Sequence, residues 1–251
     1  MTNNMTTAPQ QDELTLLEHL EELRIRLTRV VISLIAGTAV SFLFAKRFLL
    51  FLKQHYPQEL QTLGPTEGIE TYFKVSLVLG ASLAMPAILY QFWLFISPAL
   101  EKKEKRLVYI FLPSAMGLFM TGILFAWFVL LPTAIAFLST FLDDVFVAEW
   151  TSQEYISFVT TFLFWLGVSF EMPLIVYMLA RLGFVTPQLL REQWRVAVVA
   201  IAIIAAVVTP SVDPITMLLT MVPLLILYVL SMFLARWGQR QFERAYQTSE
   251  D

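Results

Sequence analysis

Residues 196–235 read VAVVAIAIIAAVV, then TPSVDP, then ITMLLTMVPLLILYVLSMFLA. Two apolar runs are thus separated by a short segment of proline, serine, threonine and aspartate, residues that are typical of turns. This pattern predicts a helical hairpin inside a bilayer. The first run holds only thirteen strictly apolar residues. As a helix it would be about 20 Å long, which is shorter than a typical bilayer core.

The rest of the chain has the same membrane character. Of its 251 residues, 57% are hydrophobic and 15% are charged, which is unlike the balance of a soluble domain. Four further segments are long enough to span about 30 Å of hydrocarbon as helices. They cover residues 27–51, 73–97, 107–138 and 155–180. Together with the hairpin, they predict an all-α polytopic membrane protein with six transmembrane helices.

The distribution of arginine and lysine predicts the orientation of the helices. Most of these cations lie before the first helix, after the second, after the fourth and after the last. Because cytoplasmic loops carry the excess of cations, both termini are expected in the cytoplasm. We expect one domain, with a polar tail over residues 1–13, the six-helix bundle over 14–237 and a cytoplasmic tail over 238–251.

Several prolines lie in or beside the predicted spans. Each removes one helical hydrogen bond and bends its helix. The sequence therefore predicts curved helices and a concave bundle, although membrane helices also tolerate proline without such a role. The residues concerned are Pro86, Pro98, Pro113, Pro132, Pro173 and Pro223.

Glu171 lies deep in the fourth predicted helix, within the segment FEMP of residues 170–173. A charge at the centre of a membrane helix costs about 2.5–3.5 kcal/mol on insertion scales, so this side chain needs a partner, water or a proton. Pro173 also frees the carbonyl of Ser169. These groups predict a polar cavity in the membrane. The structural alternative is a protonated Glu171 that bonds a neighbouring helix.

Two stretches on the predicted cytoplasmic side contain carboxylates among cations. Residues 15–29 are expected to form an amphipathic surface helix, in which Glu22 stands four residues before Arg26, and residues 101–106 read EKKEKR. An ordinary helix salt bridge and a positive-inside loop would account for these charges. Cations alone would satisfy topology, however, so the carboxylates favour a cationic ligand. Because a guanidinium pairs bidentately with a carboxylate, two such acids suit a ligand with paired arginines.

The sequence holds none of the enzyme motifs HExxH, Walker A or GxGxxG. The two histidines, His19 and His55, fall on opposite sides of the predicted membrane, and the chain has no cysteine. We therefore expect no enzymatic activity, no cofactor and no metal site, and no nucleic-acid partner.

Four segments resemble motifs of the TatC family. Residues 19–24, HLEELR, are similar to its amino-terminal motif, and residues 95–106, FISPALEKKEKR, to its first cytoplasmic loop. Residues 170–173, FEMP, resemble its acidic motif in the fourth helix, and residues 209–214, TPSVDP, its turn between helices five and six. The resemblance extends over residues 14–237 in the expected order.

The resemblance implies a core receptor of the twin-arginine protein translocase. Such a receptor binds the twin-arginine signal peptides of folded precursor proteins, and the proton motive force drives export. The two arginines would meet an acidic surface formed by Glu22 and Glu104. The residues implied to shape that surface are His19, Arg24, Phe95 and Pro98.

Further expectations follow from the same resemblance. Glu171 and Pro173 would belong to a polar cavity in the membrane, and Pro210 and Asp213 to a periplasmic turn. Helices five and six would dock the single-span partners TatA and TatB, and other TatC copies would join the assembly. The expected location is the lipid bilayer of a bacterial inner (plasma) membrane or a thylakoid. Many relatives have an acid where this chain has Val229, so the partner contacts at that position are open.

Two other functions fit the residues. In a proton-coupled secondary transporter, Glu171 would be the proton site. A structural scaffold without a ligand would not depend on Glu22 or Glu104.

Overall fold

The computed structural model describes residues 16–56, 60–96, 107–141, 150–209 and 213–247. Within this part of the chain the regular elements are helices, joined by short turns and coil, with one isolated bridge between Gln61 and Thr151. The helices are α1 (Leu16–Leu52), α2 (Glu67–Ile96), α3 (Leu107–Phe125), α4 (Leu131–Thr140), α5 (Ser152–Ser169), α6 (Met172–Arg181), α7 (Pro187–Glu192), α8 (Trp194–Val208) and α9 (Pro214–Gln247).

Five helical stretches of the described chain are long and apolar enough to cross a membrane. They are Leu20–His55, Glu67–Phe95, Phe111–Thr140, Ser152–Arg181 and Pro214–Glu243. The apolar helix α8 has 15 residues, and at 1.5 Å per residue it is about 22 Å long. The prediction of six transmembrane helices, with a short fifth one, is thereby confirmed.

The amphipathic surface helix predicted over residues 15–29 is not a separate element. It is the beginning of α1, a single helix of 37 residues from Leu16 to Leu52. No glycine or proline occurs between Leu16 and Gly37, so no residue of the type that most strongly interrupts a helix separates the two parts. The charged residues near the beginning of α1 therefore lie on the same continuous helix that enters the membrane.

Two of the six spans consist of two helical pieces. A π-helical turn at Ala126–Leu130 joins α3 to α4, and residues 170–171 separate α5 from α6. Pro132 and Pro173 each lie in the first turn of the piece that follows the interruption. Pro173 is tolerated because the missing N–H of a proline at the start of a helix has no helical partner in any case. Pro132 instead follows the π-helical turn without a break in the helix, and Pro86, Pro113 and Pro223 also lie inside helices.

Small residues bring α1 against α2. A Cβ atom added to Gly37 would lie 2.5 Å from the Gly80 carbonyl oxygen, and one added to Gly80 would lie 2.5 Å from the Thr38 Cα atom. One turn further along α1, the Ser41 hydroxyl donates to the Ser76 carbonyl at 2.5 Å. Close backbone contact between small residues, supported by hydroxyl hydrogen bonds, is how helices associate where no hydrophobic effect drives them together.

The opposite end of the bundle is closed by aromatic residues. The Tyr155 hydroxyl donates to the Leu52 carbonyl at 3.0 Å, and the Trp150 N–H donates to the Tyr56 hydroxyl at 3.1 Å. Thr151 and Glu154 form a capping box at the beginning of α5. These bonds connect the end of α1 to the beginning of α5.

Candidate functional site

Glu22 forms an ion pair with Arg26, one turn further along α1. The Arg26 Nε–H donates to Glu22 Oε1 at 3.1 Å, and the Arg26 Nη2 contacts the same oxygen. The two side chains are only 23% and 16% exposed. The expected intrahelical salt bridge is therefore present in the structure, and both contacts use a single carboxylate oxygen.

The neighbouring acid, Glu21, has a more exposed environment. Its Oε1 accepts from Arg24 Nη2 at 2.6 Å, and both side chains are more than half exposed. Exposed pairs of this kind contribute little to stability. Arg24, which the motif resemblance placed at the site, is thus bound to Glu21 and not to Glu22.

The packing of α1 on α2 determines which residues of the two helices lie at the same height along the helix axes. Gly37 lies opposite Gly80, and Ser41 lies opposite Ser76. Two antiparallel helices advance by the same 1.5 Å per residue. When this register is continued to the other end of the pair, Phe95 falls at the height of Glu22. Phe95 is half-buried one residue before the end of α2.

Some of the predicted site residues lie outside the described residues. Glu104 and Pro98 belong to the segment 97–106 that follows α2, and Pro210 belongs to the segment 210–212 that precedes α9. His19 lies in α1, but its side chain is outside the described part of the structure.

Glu171 occupies the break between α5 and α6. Its N–H donates to the Val168 carbonyl three residues back at 3.0 Å, and its own carbonyl accepts from Leu174 and Ile175 as α6 begins. The kink that was predicted here is present as a break at residues 170–171, where one helix ends and the next begins within the single span Ser152–Arg181. Pro173, at the start of α6, makes that restart possible.

The Glu171 carboxyl group is buried, with the residue only 2% exposed. Neither carboxyl oxygen has a hydrogen-bond partner of good geometry among the described residues, although the main chain of Phe119 is close enough to interact. The burial follows from the close approach of α3 to α5, where a Cβ added to Gly122 would lie 2.9 Å from the Gly167 Cα atom. In the structure the Glu171 side chain is enclosed by protein. The polar membrane cavity that was predicted around it stays a prediction.

Replacement of Glu171 by leucine is expected to raise the free energy of unfolding by about 1–3 kcal/mol, because a buried polar group without a partner is costly. Glu171→Gln keeps a desolvated polar group and should leave stability near that of the parent. Unfolding of the purified chain in detergent would measure both. The control is Glu192→Leu at an exposed acid, which should change stability by less than about 0.5 kcal/mol. A less stable Glu171→Leu chain would contradict this expectation.

Asp213 caps the beginning of α9. Its Oδ1 accepts from the Thr216 N–H at 2.6 Å, which satisfies a free donor in the first turn of that helix. Along their length, α8 and α9 present large apolar side chains that are exposed in the isolated chain. These residues are Val196, Val199, Ile203 and Val207 on α8, and Leu218, Val222, Ile226 and Phe233 on α9.

Tyr228 has a structural contact that sequence reasoning missed. It is buried on α9, and its hydroxyl donates to the Leu190 carbonyl of α7. The next residue, Val229, faces outward. The tyrosine therefore holds α7 against α9, while Val229 lies on the outside of the bundle. A buried tyrosine hydroxyl needs a hydrogen-bond partner, but the sequence does not indicate that this partner is the Leu190 carbonyl.

Comparison with known proteins identifies relatives over most of the chain. A family model described as Sec-independent protein translocase protein (TatC) matches residues 18–223. The protein named Sec-independent protein translocase protein TatC from Aquifex aeolicus is 40% identical over 236 residues, which cover 90% of this chain and 96% of the relative. The protein of the same name from Helicobacter pylori (strain J99) is 37% identical and covers 87% of each chain.

The fold agrees with a solved structure as well. A crystal structure of a twin-arginine translocase receptor, TatC, superimposes with a TM-score of 0.80 at 39% sequence identity, and covers 88% of this chain and 99% of the other. The chain is therefore a multi-pass membrane protein of the protein-translocase class, which is not a class of enzymes. It belongs to the TatC family. These relatives do not support the alternative of a proton-coupled transporter.

Proposed function

We propose that this chain is the receptor subunit of a twin-arginine protein translocase and that Glu22 binds an arginine of the signal peptide. The observation that carries this proposal is that only one of the two carboxylate oxygens of Glu22 is bonded to a described residue. Both contacts from Arg26 go to Oε1, and no described residue bonds Oε2. A carboxylate has about four acceptor positions, so a second guanidinium can bind without displacing Arg26.

The electrostatic setting favours such a ligand. Glu22 is partly shielded from water, and a charge-assisted hydrogen bond is stronger where solvent screening is reduced. Arg26 holds the carboxylate in one orientation, which lowers the entropic cost of binding. The shallow concavity of about 370 Å³ beside it is lined by Glu21, Glu22, Ile25, Arg26 and Arg29.

A ligand with two arginines needs a second acid, and we assign this role to Glu104. Glu104 follows the end of α2, and the register of α1 against α2 supports its proximity to Glu22, since Phe95 falls at the height of Glu22. Phe95 and Pro98 would then provide an apolar border beside the peptide. In this proposal His19 and Arg24, on the same helix as Glu22, shape the other border.

The test is the binding of a signal peptide that carries Arg-Arg, compared with its Lys-Lys version, to the purified chain in detergent. Lysine has the same charge but lacks the planar pair of donors that fits a carboxylate. We expect tighter binding of the Arg-Arg peptide. Equal binding of both peptides would contradict the receptor function and would favour a scaffold without a ligand.

We further propose that the outer face of α8 and α9 docks the single-span partners TatA and TatB. The exposed apolar residues on α8 recur every three or four positions, which is the spacing that presents one continuous stripe to a neighbouring helix. The helix α8 is shorter than the hydrocarbon core is thick. Because a short span can be accommodated by association with another helix, this supports docking of a partner helix beside α8.

Cysteine cross-linking tests this docking face, since the chain has no natural cysteine. A cysteine at Ile203, which is exposed on α8, should cross-link to a cysteine in the partner helix. A cysteine at the buried Ala205 on the same helix is the matched control and should not cross-link. Equal yields at the two positions would argue against the assignment.

The remaining assignments are proposals of the same kind. Glu171 and Pro173 belong to a polar site in the membrane, and Pro210 and Asp213 form the periplasmic turn. The bundle is too small to enclose a passage for a folded protein, so other TatC copies and the partner subunits must complete the path. Transport then takes place in a bacterial inner (plasma) membrane or a thylakoid, with both termini in the cytoplasm or its equivalent, and is driven by the proton motive force.

A further inference from the structure

Charged residues are concentrated where the short helix α8 begins, at the α7–α8 junction of residues 191–195. Arg191 and Glu192 end α7, and Arg195 is the second residue of α8. All three side chains are exposed, and neither arginine forms an ion pair with a described residue. Because two cations accompany one acid, the junction has an excess of positive charge.

The helix α7 continues the path of α8 along α9. Only Gln193 separates the two helices, and its N–H donates to the Leu189 carbonyl while its own carbonyl accepts from the Ala197 N–H, both at 3.0 Å. Helical hydrogen bonds therefore cross the junction. The bond from the Tyr228 hydroxyl to the Leu190 carbonyl holds this part of the chain against α9.

The depth of the junction in the bilayer follows from the lengths of the two helices. At the predicted periplasmic side, α8 ends at Val208 and α9 begins at Pro214. At 1.5 Å per residue, Arg195 lies about 20 Å and Arg191 about 26 Å from the end of α8, whereas Arg236 lies about 33 Å from the beginning of α9. Because the hydrocarbon core is about 30 Å thick, Arg236 reaches the cytoplasmic surface, and the two junction arginines lie inside that boundary.

A charged side chain at this depth needs phosphate or water within its reach. Arginine is costly in hydrocarbon, and near a helix end its side chain extends toward the interface. The Arg195 guanidinium carbon lies 5.7 Å from the centre of the exposed Trp194 ring, and tryptophan favours the level of the lipid headgroups. The junction thus has the side chains of a membrane interface at a depth where an undisturbed bilayer would be hydrocarbon.

We propose that Arg191 and Arg195 bind the phosphate of one anionic phospholipid of the inner leaflet. A guanidinium pairs with phosphate through two parallel hydrogen bonds, and residues four apart on a helix are neighbours, so both arginines reach the same group. The excess of positive charge favours an anionic lipid over a zwitterionic one. The acyl chains extend toward the bilayer centre along Val199 and Ile203, which are exposed on α8.

This lipid site is independent of the signal-peptide site at Glu22 on α1, but it meets the proposed docking face of TatA and TatB. Val199 and Ile203 belong to that face as well. A partner helix that docks there would replace the acyl chains, so the lipid occupies the chain before the partner binds. An acidic group of the partner is the alternative ligand for the two arginines.

The experiment is native mass spectrometry of the purified full chain in detergent, with added phosphatidylglycerol or phosphatidylcholine. We expect the parent chain to retain one phosphatidylglycerol and to bind phosphatidylcholine more weakly. Arg191→Gln and Arg195→Gln should each lower phosphatidylglycerol affinity about five-fold, the order expected for one cation near an anionic surface. Glu192→Gln removes a carboxylate that repels the phosphate and should raise the affinity, which a general folding defect would not do.

Arg240→Gln is the matched control. It removes the same charge from an exposed residue of α9 that lies beyond the junction, about 39 Å from Pro214, and it should change phosphatidylglycerol affinity by less than two-fold. Equal losses for Arg240→Gln and Arg195→Gln would overturn the proposal, because total charge would then explain the binding. Equal retention of the two lipids by the parent chain would also overturn it.

Two further measurements separate the lipid from the other ligands. Arg-Arg peptide binding should be unchanged in the Arg191→Gln and Arg195→Gln chains, so failure of the lipid site and failure of the receptor function are distinguishable. If these variants keep the lipid but lose the cross-link from a cysteine at Ile203 to the partner helix, the arginines bind an acidic group of the partner and the lipid proposal is wrong.

Discussion

Glu22→Ala is expected to weaken binding of an Arg-Arg signal peptide by about 10- to 150-fold, the range that corresponds to one lost charge-assisted hydrogen bond. The loss should be specific for arginine, because the planar guanidinium makes better use of the carboxylate than an ammonium does. Isothermal titration with the Arg-Arg and Lys-Lys peptides measures both effects. Glu104→Ala should give a loss of similar size if each acid takes one arginine.

The adjacent acid provides the matched control for this experiment. Glu21→Ala removes the same charge from the same helix, but Glu21 is highly exposed and paired with Arg24. Its removal should change the affinity by no more than about two-fold, as for an exposed surface position. If Glu21→Ala and Glu22→Ala weaken binding equally, the effect reflects total charge and the specific role of Glu22 is wrong.

Gly80→Ala should lower the free energy of unfolding by about 1–3 kcal/mol, the usual cost of inserting a methyl group into a packed contact. The new Cβ would lie within 2.6 Å of the backbone nitrogen of Thr38. A backbone atom cannot rotate away as a side chain can, so α1 and α2 must separate. Thermal or denaturant unfolding of the purified chain in detergent measures the loss.

Gly117→Ala is the control for this prediction. Gly117 also lies inside a helix, but a Cβ added there meets nothing within 4 Å. Its replacement should be neutral or stabilise the chain by up to about 1 kcal/mol, because alanine favours helix more than glycine does. Equal stability of the Gly80→Ala and Gly117→Ala chains would show that the close contact of α1 with α2 is unimportant.

Gly80→Ala should also reduce binding of the Arg-Arg peptide. The register of α1 on α2 fixes the height of Glu22 relative to the end of α2, and separation of the helices disturbs that alignment. A chain that loses stability but keeps full peptide affinity would show that the site does not depend on this packing.

The sequence by itself determined the class of protein and the number of spans. A long apolar segment must be helical in a bilayer, because only a helix or a closed barrel satisfies its backbone there. For that reason the short fifth helix could be predicted from the residues alone. The same holds for the pairing of Glu22 with Arg26, since a spacing of four on a helix brings side chains together.

Contacts between distant segments were decided only by the tertiary structure. The break at Glu171, the bond from Tyr228 to Leu190 and the contact between Gly37 and Gly80 each depend on which helix lies opposite. Hydrophobic periodicity does not encode that choice when all sides of a helix are apolar, because every face is then equally suited to lipid and to protein.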